Sequence, residues 1–102
     1  MSIVHLSRRA EDDLLQIAVF TLDRWGMKQT DRYLAQLQAF CRQVAEMPAM
    51  GRSASEVRIG LRRIEHGRHV IFFRERPDGI LVVRFLHQSM LAEHQAFENE
   101  EE

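Results

Sequence analysis

Apolar residues recur along this chain in two rhythms, and each rhythm predicts a different kind of element. In the first half they return every three or four positions: Leu14, Leu15, Ala18, Leu22 and Trp25, then Tyr33, Leu34, Leu37, Phe40, Cys41, Val44 and Met47. That spacing lines each set along one side of a helix. Ser7 is placed to cap the first helix, and Glu11, Asp12 and Asp13 follow where carboxylates meet the positive end of the helix dipole. Gly26 is placed to end it. The second helix opens near Thr30 and stops before Pro48, so the two form an antiparallel hairpin turning at Gly26. Apolar faces this wide are core scaffold rather than cofactor sites, and one of them can cover a sheet at about 25 cal/mol per Å² buried.

From Leu61 the rhythm changes to strands. Leu61 to Ile64, Val70 to Arg74 and Ile80 to Leu86 are rich in β-branched and aromatic types, and they are punctuated by Glu65-His66-Gly67-Arg68 and by Pro77-Asp78-Gly79. Proline presets a turn, aspartate bonds its own backbone, and glycine supplies a positive φ, so these breaks predict a three-stranded antiparallel meander. Ser2 to Leu6 is a short alternating segment that can add an edge strand. The predicted fold class is therefore α+β, an N-terminal helix hairpin packed on a small antiparallel sheet, with Ile71, Phe73, Val83 and Phe85 in its core. Simple alternation puts Leu81, Val83 and Phe85 on one face of the last strand and Ile80, Val82, Arg84 and Leu86 on the other. Both faces are apolar, so the second must be covered, either by a partner or by the chain's own C-terminal segment.

Length and charge narrow the picture. A chain of 102 residues with 45% hydrophobic content holds one modest core. A single domain over 1–97 is expected, with Gln88 to Phe97 forming a last helical turn that docks through Leu91 and Phe97, and with 98–102 a frayed acidic tail. No stretch has the length to cross a bilayer and no leader pattern is visible, so the expected location is cytoplasmic. The lone Cys41 falls within a helical pattern and reads as a small buried apolar residue. Arg52, Arg58, Arg62, Arg63, Arg68, Arg74, Arg76 and Arg84 make the strand region basic, whereas Glu93, Glu98, Glu100, Glu101 and Glu102 make the tail acidic. Arginine rather than lysine favours bidentate recognition of carboxylate or phosphate, which fits an acidic protein or nucleic acid equally well.

The order of several short segments resembles a known family. The helix turns Arg24-Trp25-Gly26 and Asp31-Arg32-Tyr33 are followed by Met47-Pro48-Ala49-Met50-Gly51-Arg52 and Ile59-Gly60-Leu61-Arg62. Gly67-Arg68-His69-Val70-Ile71-Phe72-Phe73-Arg74 and Val83-Arg84-Phe85-Leu86-His87-Gln88-Ser89-Met90 complete the set. Together, from about Leu6 to Phe97, they resemble the ParE toxins of the ParE/RelE superfamily, with Leu91 standing where many relatives have an aspartate. The resemblance implies the toxin of a type II toxin–antitoxin system, one that blocks DNA gyrase by binding and is neutralised by a cognate acidic antitoxin. On that reading Arg62, Arg63, Arg74, Arg84, His87, Met90 and Leu91 are the expected antitoxin- or target-binding residues, and no residue is catalytic.

The alternative is a RelE-like, ribosome-dependent mRNA nuclease. RNA cleavage through the 2′-hydroxyl needs a base, a stabiliser of phosphorane charge and an acid, for which His87, Arg62, Arg84 and His94 are the candidates. The last segment holds no tyrosine, and the chain's only one, Tyr33, falls in a helical stripe. No glycine-rich phosphate loop, metal-ligand spacing or nucleophile elbow is present, so neither a cofactor nor a metal is expected.

Overall fold

The computed structural model describes residues 2–88. The chain runs β1 (Ile3–Leu6), α1 (Arg8–Trp25), α2 (Met27–Glu46), a 3₁₀ turn (Pro48–Met50), β2 (Arg52–Ser53), β3 (Arg62–His66), β4 (His69–Arg76) and β5 (Gly79–His87). The strands form one five-stranded sheet in the order β1-β5-β4-β3-β2. The two helices pack on one face of it, which makes the architecture α+β.

The meander is antiparallel from β2 to β5, as the turn chemistry predicts. Ile3–Leu6 does join its edge, but parallel to β5, so the sheet is mixed. The chain leaves Leu6 into Ser7, the N-cap of α1, so β1 makes no hairpin with a sequence neighbour and pairs with the distant β5 instead. Ser7 Oγ accepts from the Ala10 N–H at 3.0 Å and donates to the Val83 carbonyl at 2.7 Å. One buried hydroxyl therefore starts the helix and ties it to the last strand.

Gly26 ends α1 with its N–H on the Leu22 carbonyl, and α2 starts at once at Met27 rather than near Thr30. A φ of 85° at Gly26 reverses the chain in a single residue, which a side chain would resist. The inward face of α1 also differs from the expected stripe. Ala10, Asp13, Ile17 and Thr21 are buried, whereas Leu15, Leu22 and Trp25 are exposed. In α2 the expected Leu37, Cys41 and Val44 are buried, Tyr33, Leu34 and Phe40 pack partly against them, and Met47 is exposed. Burial pushes the Cys41 thiol up to about 12, so it stays protonated.

Register is what positions the site. Pairs Arg76↔Gly79 to Phe73↔Val82 run regularly, and the next pair is Phe72↔Arg84, so Val83 is an extra residue in β5. A bulge of this kind reverses the alternation beyond it. Phe85 accordingly joins Ile80 and Val82 under the helices with Ile71 and Phe73, while Val83 packs with Leu81, Val70, Phe72 and Leu86 on the opposite face. Val83 is thus buried as expected but outside the helix-side core. The Ala54–Leu61 loop contributes Ala54, Val57 and Leu61 to that second cluster. The expected C-terminal helical turn, domain end and tail lie outside the described residues.

Candidate partner-binding site

The bulge opens one end of the sheet into a groove. Beyond Val82, β5 has no strand on its outer side, because β1 ends opposite it, and α1 takes the strand's place. The Asp13 carboxylate accepts from Arg84 Nε at 2.8 Å, from Arg84 Nη2 at 3.0 Å and from the Phe85 N–H at 3.0 Å. Both side chains of this pair are about 10% exposed. One of these three donors is a backbone group of the strand edge that the end of β1 leaves open, so a charge pair stands where a ladder would continue.

Above this floor lies an open groove of about 630 Å³. Ile17, Phe20 and Trp25 of α1 form one wall, and Tyr33 of α2 and the Gly67-Arg68-His69 turn form the other, with Phe85, Leu86 and His87 at its end. The Tyr33 hydroxyl and Nδ1 of His69 share a hydrogen bond of 2.5 Å. His69 meets the edge of His87, with ring centroids 5.6 Å apart, and His66 stacks on Phe40 at 4.7 Å. Burial, reinforced by His87 and His66, lowers His69 from 6.5 to about 4, with Asp13 opposing. Burial also raises the Tyr33 phenol. Near neutral pH the Tyr33–His69 pair is an uncharged aromatic wall, unsuited to trading protons at that pH.

That depression has a measurable consequence. Unfolded chains protonate His69 near 6.5 whereas the folded protein holds out to about 4, so stability falls as pH drops through this window and levels off below it. After discounting for water at a half-buried ring, the loss is about 1 to 2 kcal/mol. Urea midpoints measured from pH 7 to pH 4 should show this slope in the wild type and a shallower one in His69→Gln, whose amide can still accept from Tyr33.

The expected arginines separate. Arg84, expected on an exposed face, is 9% exposed and held by Asp13 of α1, beside the strand edge that β1 leaves open. Arg62 donates to Glu75 at 3.1 Å and to the Gly51 carbonyl at 2.7 Å, tying β3 to the 3₁₀ turn. Arg63 and Arg74 lie on the sheet face away from the helices. Arg63 bonds Glu65 at 3.3 Å with its guanidinium 5.5 Å from the Phe72 ring centroid, and Arg74 donates to the Ile59 carbonyl at 2.8 Å. His87 alone of the expected set sits at the groove with Arg84. Met90, Leu91 and His94 lie outside the described residues. Sequence reasoning missed Asp13, His69 and the rim aromatics Phe20 and Trp25, and it put Tyr33 in the core stripe. Two-residue turns give His69 opposite Leu86, and only the bulge moves it opposite His87.

Among the described residues no group of three or more His, Cys, Asp or Glu side chains is arranged to hold a metal, and no helix is long and apolar enough to cross a membrane. Comparison with known proteins gives a consistent answer. Residues 4–92 match the family model described as ParE toxin of type II toxin-antitoxin system, parDE. The chain is 41% identical over 92 residues to Toxin ParE1 of Caulobacter vibrioides, covering 90% of this chain and 95% of the relative. It is 41% identical over 86 residues to Toxin ParE1 of Mycobacterium tuberculosis, covering 83% and 88%. Among solved structures it superposes on a chain from "Chromosomal ParDE TA system from P. aeruginosa" with a TM-score of 0.71, 17% identity and coverage of 85% and 96%. At that identity the likeness speaks for the fold.

Proposed function

Because the chain belongs to the ParE toxin family of type II toxin–antitoxin systems, we propose that its free form blocks DNA gyrase by binding, and that a cognate acidic antitoxin neutralises it. The observation that carries this reading is the division of labour in the groove. At its base Asp13 is paired with Arg84 and Tyr33 with His69, while Phe20 and Trp25 on its rim remain exposed. Such a surface offers apolar area on a rigid base, the composition of a protein-binding site. The structural neighbour belongs to a ParDE system, which supports an antitoxin as the partner of this chain too. An amphipathic antitoxin segment can place apolar side chains between Phe20 and Trp25 and acidic ones beside Arg68 at the rim. On this account His87 remains a contact residue and Arg84 shapes the groove from inside, whereas Arg62, Arg63 and Arg74 lie outside it.

The nuclease alternative needs its groups within one substrate's reach. Arg62 pairs with Phe73 and His87 with His69, four residues apart on β4, which is roughly 13 Å along the strand. That separation takes Arg62 out of any site shared with His87, and Arg84, which does lie beside His87, is already engaged by Asp13, which favours binding over catalysis.

The antitoxin half is tested by coexpressing the chain with the small acidic product of the adjacent reading frame. A stable complex is expected, and Trp25→Ala should weaken it by about 2 kcal/mol or more, roughly 30-fold in Kd by calorimetry. Unchanged affinity in both Phe20→Ala and Trp25→Ala would move the antitoxin off this groove. For the target half, antitoxin-free protein should inhibit gyrase supercoiling and leave message intact in a translating extract.

A further inference from the structure

The sheet face away from the helices carries an excess of positive charge that the groove does not use. Arg52 of β2, Arg63 of β3 and Arg74 and Arg76 of β4 share that face, and the Ala54–Leu61 loop lying on it brings Arg58. Arg74 donates to the Ile59 carbonyl of this loop at 2.8 Å. The acids of the strand region are mostly engaged elsewhere. Glu65 accepts from Arg52 at 3.2 Å and from Arg63 at 3.3 Å, while Glu75 holds Arg62 on the helix side and Asp78 holds His5. Among the described residues that leaves Glu56 as the one further acid of this region beside Arg58, Arg74 and Arg76, none of which is without a partner.

The apolar centre of the same face is hidden more completely than the loop alone can manage. Val70, Phe72, Leu81, Val83 and Leu86 are 0 to 5% exposed, and the described hydrophobic side chains set on them from outside the strands are Ala54, Val57 and Leu61. Charge and reach indicate what completes the cover. The Gln88 N–H donates to the Arg68 carbonyl at 3.0 Å, and residues 89–102 follow from there. Met90 and Phe97, seven residues apart as on one side of a helix, come first with Leu91, and Glu98, Glu100, Glu101 and Glu102 come last, with no Lys or Arg in the stretch. From His87, opposite His69, to Arg76 is seven residues of β4, or roughly 23 Å. The last glutamates lie ten to fourteen residues past Gln88, a reach of about 15 to 21 Å as helix and about 33 to 46 Å extended, so they span that distance.

We propose that residues 89–102 dock on this second sheet face, with Met90, Leu91 and Phe97 over its apolar centre and the last glutamates against Arg58, Arg74 and Arg76. Arginine suits the task, because its planar fork meets a carboxylate with two donors at once. The face is then an intramolecular carboxylate site, and any other polyanion reaches its arginines only by displacing the chain's own acids.

A nitroxide carried on Glu100→Cys tests this in the full chain without antitoxin, since the Cys41 thiol is buried and does not compete for the label. At about 50 mM salt it should broaden the amide resonances of Arg58, Ile59 and Arg74 to Arg76 far more than those of Leu37 and Val44 on the helix side. At about 1 M salt, where charges are screened beyond about 3 Å, the broadening should fall severalfold. Arg58→Glu with Arg76→Glu should remove it at low salt too. Should that pair disturb the fold, Glu98→Gln, Glu101→Gln and Glu102→Gln, which leave the sheet untouched, decide alone. Broadening that is absent, centred on the helices, or indifferent to salt and to the charge variants would overturn the proposal. So would broadening seen only between a labelled copy and an isotopically distinct unlabelled one, since the acids would then meet a second molecule.

Discussion

Replacing Asp13 with alanine is expected to cost about 3 to 5 kcal/mol, an effect far larger than its place in the first turns of α1 suggests. Removing one member of a buried ion pair leaves the other charged and unpartnered, which is the costly case. Here the loss is compounded, because the same carboxylate also accepts from the Phe85 N–H. A domain of this size has about 5 to 15 kcal/mol of stability, so the variant should melt at least about 12 °C lower, at roughly 4 to 8 °C per kcal/mol. Arg84→Ala should be nearly as damaging. The double variant Asp13→Leu with Arg84→Met should recover much of the loss, since apolar replacement of a whole buried pair is often close to neutral, though the Phe85 N–H still costs about 1 to 3 kcal/mol. Thermal melts of the two single variants and the double check this. A change under about 1 kcal/mol in Asp13→Ala would mean that the pair does not brace the bulged strand.

Gly79→Ala is expected to cost about 3 kcal/mol or more, and its damage should be confined to the β1 edge of the sheet. Gly79 has a φ of 152°, and a Cβ there would stand 1.9 Å from the Ile3 carbonyl oxygen and 2.7 Å from the Ile3 nitrogen. Backbone strain contributes about 1 to 3 kcal/mol and the enforced separation a similar amount. Gly79 is also the strand residue directly opposite Ile3, whose N–H donates to the Asp78 carbonyl at 2.7 Å. The alanine must therefore push β1 off the end of β5. Hydrogen exchange should show protection lost at Ile3 to Leu6 before the β3–β4 hairpin. Uniform loss across the sheet, or a cost below about 1 kcal/mol, would contradict the close approach described.

The range of each interaction decides whether the sequence announces it or hides it. The meander is legible because β-branched runs and proline- or glycine-bearing turns act locally, and Ser7 and Gly26 cap α1 by contacts within four residues. The inward face of α1 is not legible, because that helix is apolar on its outer side as well and turns Asp13 inward. Asp13 and Arg84 are 71 residues apart, so nothing local distinguishes Asp13 from the dipole-compensating Glu11 and Asp12 beside it. The bulge at Val83 leaves no compositional trace, since Leu81-Val82-Val83 supports a regular strand equally well. Yet that one residue decides which face Phe85 takes, where Arg84 points and which residue meets His69. The fold could be read without the bulge, and the groove could not.

The measurement that bears most directly on function is a paired assay of the antitoxin-free protein and its His87→Gln variant, in gyrase supercoiling and in a translating extract with labelled message. The isosteric glutamine removes a proton-transfer group worth about 100- to 10,000-fold to a nuclease while changing little in a binding surface. Inhibited supercoiling by both proteins, with message intact, is the result that binding without catalysis predicts. Message cut at defined positions by the wild type and spared by His87→Gln, with supercoiling untouched by either, would contradict it.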